Sequence, residues 1–181
     1  WFFLCGRWLA KDEEDGAIER EIVASDKDGQ SCLPMTYYKV TTLTGNRRGA
    51  GTSANVFVTL FGETGDTGAK KLEGPDCFNR GKTDEFGLEC VDIGAIKRIK
   101  IEHDGSKPGA GWFLDKVIVK SEALKKEWFF LVGRWLAVDE DDGQISLELF
   151  PRDEDGQASP PLTTYRVTVL TGDRPGAGTD A

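Results

Sequence analysis

The sequence is poor in the residues on which metalloenzymes and many hydrolases depend. It holds one histidine, His103, and one methionine among 181 residues. A single imidazole cannot furnish a multi-histidine iron or zinc site, and it disfavours a Ser-His-Asp arrangement. No apolar run approaches the roughly 18 residues that a membrane-spanning helix requires. We therefore predict no multi-histidine metal site, no Ser-His-Asp catalytic centre and no transmembrane helix.

Basic residues are also in deficit, since 31 acidic against 23 basic residues give a formal net charge of -8. This balance disfavours nucleic acid as a partner, because binding of phosphates relies on Lys and Arg. It also disfavours direct adhesion to anionic lipid unless a bound cation changes the local sign. The first residues have neither a basic n-region nor a small-residue cleavage site, and no initiator methionine is present. We expect the chain to be part of a longer protein.

What the sequence does contain is a long internal repeat. Trp1–Ala54 aligns without a gap with Trp128–Ala181, at an offset of 127 residues. A period of this length suits a string of whole domains, here called modules, rather than a helical solenoid. The predicted organisation is residues 1–25 as the C-terminal strands of a preceding module, 26–35 as a linker, 36–151 as a complete module, 152–162 as a linker, and 163–181 as the first strand and loop of a following module.

The four cysteines do not follow the repeat. None of Cys5, Cys32, Cys77 and Cys90 stands in a C-x-x-C pair, and the repeat replaces Cys5 by valine and Cys32 by serine. A disulfide or zinc framework that belonged to the module should recur with the module. We therefore expect free, mostly buried thiols in a reducing compartment, with a disulfide as the alternative.

Inside the complete module, apolar residues recur with a period of two. The clearest alternation covers Val56 to Phe61, Phe86 to Cys90 and Ile145 to Leu149, in runs bounded by Gly, Asp, Asn or Pro. About eight such short runs predict an all-β fold, an eight-stranded antiparallel β-sandwich. Its core aromatic residues are expected to be Trp112, Phe113, Trp128, Phe130 and Trp135.

Three polar turns are the candidates for a binding site. The loop Gly45–Thr52 is rich in glycine, so its backbone can present carbonyl oxygens to a hard cation. If it met the turns at 63–68 and 103–105, carboxylates could join those carbonyls around calcium. The candidate ligands are Ala50, Gly51, Thr52, Glu63, Asp66 and Asp104. The alternative is that these are ordinary turn residues. We expect His103 to end a strand and to bond with backbone.

Several motifs together resemble the PLAT domain, also called the lipoxygenase-homology or LH2 domain. They are Tyr38-Lys39-Val40, Gly49-Ala50-Gly51-Thr52, Asn55 to Leu60, Gly65-Asp66-Thr67-Gly68, Ile99 to Asp104, and Gly111 to Val117. The resemblance implies an eight-stranded sandwich that associates with membranes or proteins, and in some members calcium as a cofactor. One departure concerns the residue after Gly-Thr, which is often acidic in the family. It is Ser53 here but Asp180 in the repeat.

The tandem copies are similar to the PLAT repeats of hair-cell stereocilia, which are needed for hearing. This resemblance implies a non-catalytic scaffold, intracellular and beneath the plasma membrane, whose partners are membrane proteins or cytoskeletal linkers. The alternatives are a calcium-dependent module that binds membrane lipid and an accessory domain of a lipid-acting enzyme. We also expect the chain to self-associate through its incomplete end modules, because unpaired strands leave apolar faces and edges open.

Overall fold

The structure, a computed structural model, describes residues 2–13, 18, 20, 22, 24–30, 33–153 and 166–172. These residues contain eight β-strands and no helix. The strands are β1 (Met35–Thr44), β2 (Val56–Phe61), β3 (Lys70–Leu72), β4 (Thr83–Val91), β5 (Arg98–His103), β6 (Trp112–Ser121), β7 (Lys126–Leu136) and β8 (Ser146–Leu149). The described residues therefore contain no helix that could span a membrane.

The strands form two antiparallel four-stranded sheets, ordered β4-β1-β6-β7 and β3-β2-β5-β8. Their inner faces alternate with their outer faces, as the period of two predicts. In β4, for example, Phe86, Leu88 and Cys90 are buried while the residues between them are exposed. The buried side chains of both sheets belong to one hydrophobic cluster. The predicted eight-stranded antiparallel sandwich is therefore confirmed.

Because consecutive strands alternate in direction, the connections gather at two opposite ends of the sandwich. The loop end carries residues 45–55, 73–82, 104–111 and 137–145, which join β1 to β2, β3 to β4, β5 to β6 and β7 to β8. The connector end carries residues 62–66, 92–97 and 122–125, together with 33–35, where the chain enters, and 150–153, where it leaves. Each candidate site lies at one of these two ends.

The predicted set of core aromatic residues is right for three of its members and wrong for Trp135. Trp112, Trp128 and Phe130 lie in the core. Trp135 is only half-buried, and its ring meets Phe113 edge-on with centroids 5.4 Å apart on the outer face. Strand pairing explains the difference, because Trp135 pairs with Phe113, and these two directly adjoin the core residues Leu136 and Trp112. Phe113 is buried, but outside the core cluster.

The segment before the complete module repeats a detail of its fold. An antiparallel bridge joins Phe2 to Ser25, and another joins Phe129 to Arg152, which are the same positions in the repeat. Gly6 and Gly133, also equivalent, have φ values of 59° and 63°. The predicted module boundaries stay a prediction, and residues 163–165 and 173–181 of the following module lie outside the described residues.

The cysteine prediction holds in part. Within the described ranges, Cys5, Cys77 and Cys90 are free thiols, whereas Cys32 lies outside those ranges. Only Cys90 is buried, and burial raises the pKa of its thiol. Cys77 is half-buried and Cys5 is exposed, so the expectation of mostly buried thiols is wrong for these two. Val132, which is equivalent to Cys5 in the repeat, is half-buried.

Candidate functional site

Hydrogen bonds to neighbouring residues hold the glycine-rich loop between β1 and β2 in place. The carbonyl oxygen of Ala50 accepts a hydrogen bond from the amide of Phe113 (2.9 Å), and Ala50 is fully buried. The hydroxyl of Thr52 donates to the carbonyl of Ala110 (2.8 Å) and accepts from the amide of Ala54 (3.1 Å). Two of the predicted ligands, Ala50 and Thr52, therefore hold the loop against the start of β6.

The same loop packs tightly against the connection from β3 to β4. A Cβ added at Gly51 would lie 2.8 Å from the carbonyl oxygen of Phe78, so only glycine fits there. The amide of Thr52 donates to that same carbonyl (3.1 Å). Phe78 itself has φ of 58°, a strained value for a bulky residue, and its amide donates to the buried carboxylate of Asp84 (2.7 Å). The two loops form one interlocked unit.

Asp104 lies at the loop end, where it is engaged by neighbouring polar groups. Its carboxylate accepts hydrogen bonds from the amide of Asn55 (3.1 Å), the side-chain nitrogen of Asn55 (2.6 Å) and the amide of Ser106 (3.0 Å). These bonds favour the ionised form and hold the pKa of Asp104 well below its usual range, with Asn55 contributing most. The charge is available at neutral pH, but most of its acceptor positions are used.

Glu63 and Asp66 lie at the connector end, on the far side of the molecule from Asp104. Val56 of β2 pairs with His103, next to Asp104, whereas Phe61, five residues further along β2, pairs with Arg98 and precedes the turn with Glu63. At about 3.3 Å per residue the two ends of β2 are roughly 17 Å apart. The predicted meeting of the three turns is therefore wrong, because the first and fifth connections share one end and the second lies at the other.

The local partners of these two carboxylates are also structural. Lys97 forms an ion pair with Glu63 (2.8 Å) and, as the main cause, lowers the pKa of that carboxyl. The carboxylate of Asp66 accepts a hydrogen bond from the amide of Gly68 (2.9 Å) within its own turn. No group of three or more His, Cys, Asp or Glu side chains suited to a metal ion occurs in the part of the chain that the structure describes. The six predicted ligands therefore do not fit one calcium ion.

A cavity of about 350 Å³ opens at the loop end beside the interlocked loops. Its polar lining includes Ser53, Asn55, Asp76 and Asn79, with the lysines Lys71 and Lys107 at its sides. Sequence reasoning missed Asp76 and Asn79. They share an end with the first and fifth connections only because β3 precedes them, and this strand of three residues carries no clear alternation in the sequence. That the module binds calcium stays a prediction.

His103 behaves as predicted for a strand-end histidine. It is the last residue of β5 and is buried; its Nε2 lies 2.9 Å from the carbonyl oxygen of Leu136, and its Nδ1 accepts a hydrogen bond from the amide of Gly105 (3.2 Å). Both ring nitrogens are thus used by backbone groups. The imidazole fastens the end of β5 to the end of β7 and is not free to act as a base or a metal ligand.

Comparison with known proteins places these features in a family. A family model described as the PLAT/LH2 domain matches residues 38–150. Lipoxygenase homology domain-containing protein 1 of mouse is 40% identical over 185 residues, which cover 99% of this chain and 9% of that protein. The mouse polycystin family receptor for egg jelly is 38% identical over 121 residues, which cover 65% of this chain and 6% of the receptor. The chain thus spans a small part of these relatives.

Solved structures show the same sandwich. Coral 8R-lipoxygenase, described as activated by calcium through a C2-like domain, matches with a TM-score of 0.57 and 28% identity, over 64% of this chain and 17% of that one. The alpha-toxin of Clostridium perfringens matches with a TM-score of 0.51 and 17% identity, over 67% of this chain and 34% of the toxin. The second likeness concerns the fold alone.

Proposed function

Because the chain belongs to the PLAT/LH2 domain family, we propose that it is a non-catalytic association module that ties membrane proteins to cytoskeletal linkers beneath the plasma membrane. The observation that carries the proposal is the 40% identity, over 99% of the chain, with lipoxygenase homology domain-containing protein 1. The location that we propose is intracellular and submembrane, in stereocilia, as the resemblance of the tandem repeats implies.

The chemistry of the described residues supports an association role over a catalytic one. The imidazole of His103 has both nitrogens bonded to backbone, and the carboxylate of Asp104 is held by Asn55 and Ser106. Neither group is placed to take a proton from a substrate. The loop end instead offers a polar rim around a cavity, which suits recognition of a partner surface.

The test compares two membranes that share their lipids. The chain is incubated with native plasma-membrane vesicles and with liposomes made from the lipids extracted from those vesicles, each with calcium or with chelator. Association with a membrane protein predicts flotation with the native vesicles only, in both calcium conditions. Equal flotation with the extracted lipids would contradict the proposal.

A second candidate is calcium-dependent binding of membrane lipid, which the likeness to coral 8R-lipoxygenase favours. It predicts flotation with liposomes only in calcium. It also predicts that Ser53→Asp, which installs the residue found at the equivalent Asp180, raises the melting temperature in about 1 mM calcium through selective binding to the folded state. Asp66→Asn, at the connector end, is the matched control and should leave the calcium response unchanged.

A third candidate, an accessory domain of a lipid-acting enzyme, also follows from the likeness to lipoxygenases. It requires a catalytic partner. If the chain failed to bind native vesicles and liposomes alike, this candidate would be favoured over the other two.

A further inference from the structure

The chain enters and leaves the sandwich at the same end. It enters β1 at Met35 and leaves β8 at Leu149, and the alternation of eight strands places both points at the connector end. Register confirms this, because Met35 pairs with Val91 at the end of β4, and Leu149 pairs with Ile99 near the start of β5. Neighbouring units of the repeat must therefore attach at the connector end, while the loop end lies away from both attachments.

Exposed apolar side chains concentrate at this same end. Among the described residues 33–153, seven large apolar side chains are exposed, namely Leu33, Met35, Tyr37, Leu124, Leu131, Val138 and Phe150. Four of them stand at the connector end: Leu33 and Met35 where the chain enters β1, Leu124 in the turn from β6 to β7, and Phe150 after β8. Tyr37 lies two residues into β1, and its ring lies over Gly87 of β4 on the outer face of the sheet. Only Val138 belongs to the loop end. Exposed apolar side chains that gather at one end of a domain are typical of a contact surface.

The segment that leads into β1 is too well held to act as a long tether. Asp26 closes a turn by accepting hydrogen bonds from the amides of Asp28 and Gln30 (2.9 and 3.0 Å). On the other side, the carbonyl of Pro34 accepts from the amide of Asp92 (2.8 Å), which fixes Pro34 to the connector end. Only residues 31–33 lie between these anchors, and they span at most roughly 10–15 Å. A preceding unit would be held against the connector end.

The repeat keeps an apolar side chain at the positions of Met35 and Phe150, whereas Leu33 corresponds to Pro160 and Tyr37 to Thr164. The position of Met35 is Leu162 in the second copy, and the position of Phe150 is Val23 in the first. A surface that recurs in each unit can meet a copy of itself, with like positions facing across a two-fold axis. We propose that the connector end is the surface through which one module docks onto another, so that the partner it fits is a second copy of this module. The loop end of each module then stays free for other partners.

In the 181-residue chain, a second chain supplies the partner module. A short linker between two modules corresponds to an effective concentration of about 1 mM. Dimerisation of separate chains is therefore measured by analytical ultracentrifugation at chain concentrations up to about 1 mM. The test variant is Met35→Glu with Leu124→Glu, which places carboxylates where two copies meet. The control is Val138→Glu, an equally drastic change at an exposed apolar position of the loop end. Because all three side chains are exposed, the melting temperatures should match that of the wild type.

The expected result is a dimer that the double variant weakens by about tenfold or more and that Val138→Glu leaves intact. A second double variant, Phe3→Ser with Trp8→Ser, tests association through the exposed residues of the segment before β1. A wild-type chain that stays monomeric up to about 1 mM would overturn the proposal. So would a dimer that survives the connector-end substitutions, or one that only the Phe3 and Trp8 substitutions abolish.

Discussion

The indole Nε1 of Trp112 donates a hydrogen bond to Oγ1 of Thr44 across 3.0 Å inside the core. Trp112 is fully buried, and the ring of Phe78 meets it edge-on at a centroid distance of 5.3 Å. The indole thereby links the start of β6 to the end of β1 and to the connection from β3 to β4. It is the side chain that ties the loop end to the core.

Replacement of this indole should be costly. Trp112→Ala is expected to lower the free energy of unfolding by roughly 3–5 kcal/mol, because it removes a large buried side chain and leaves a cavity. Denaturant unfolding followed by circular dichroism measures the loss. Trp8→Ala is the control, since Trp8 is 65% exposed and should change the free energy of unfolding by less than about 1 kcal/mol. A loss of that small size for Trp112 would contradict its role as a core anchor.

Two glycines in one turn offer a sharper pair of variants. A Cβ added at Gly62 would lie 2.1 Å from the carbonyl oxygen of Ile93, whereas one added at Gly65 would meet nothing within 4 Å. Because the clash at Gly62 is with backbone, the turn must move to accommodate it. Gly62→Ala should therefore destabilise the fold by about 2 kcal/mol or more, and Gly65→Ala by less than about 1 kcal/mol, in the same unfolding measurement. Similar losses for both variants would show that the turn adapts freely.

The fold could be predicted from sequence because strand alternation is a local pattern. Val56, Val58 and Leu60 show it within a single strand, and all three are fully buried. β3 was beyond such reasoning, because Lys70–Leu72 is three residues long and buries only Leu72. The outward direction of Trp135 was not predictable from alternation alone, because the pairing of β6 with β7 shifts register between Trp128 and Trp135. The fold class and most inward faces were thus accessible from sequence, while the face of Trp135 was not.

The candidate site was harder to predict because it depends on which turns share an end. Asp104 is at the loop end with Ala50, as the hypothesis required, but Glu63 follows the second strand and lies at the other end. A count of strands separates them only if β3 is included, and the sequence shows no clear pattern for that strand. Other features had no sequence signal, since the closure of the loop by the hydrogen bond between Ala50 and Phe113 requires coordinates. Local motifs identified the loop, and only tertiary structure shows which of its atoms are free.

Asp84 should contribute to stability through a buried hydrogen bond to Phe78, in addition to its ion pair with Lys82 (3.0 Å). Its carboxylate accepts from the amide of Phe78, whose positive φ must be maintained. Asp84→Ala would leave that buried amide without a partner, and we expect a loss of about 1–3 kcal/mol in the free energy of unfolding. Glu85→Ala, one residue away on the outer face, removes only an exposed ion pair with Lys39 and should cost less than about 1 kcal/mol. Equal losses of stability for Asp84→Ala and Glu85→Ala would show that the hydrogen bond to Phe78 contributes no more than an exposed ion pair.

The hydrogen bonds between Asp104 and Asn55 predict that the stability of the fold depends on pH in the acid range. Because these hydrogen bonds lower the pKa of the folded carboxyl, the ionised form stabilises the fold above the usual carboxyl pKa of about 3.9. That contribution is lost as the pH falls below this value towards the folded pKa. The difference in melting temperature between the wild type and Asn55→Ala should therefore be largest near neutral pH and shrink in acid. Since Asp104 is exposed, the effect should be on the order of 1 kcal/mol or less. A difference that stays constant from neutral pH into acid would show that Asn55 acts through its fit alone, and not through the charge of Asp104.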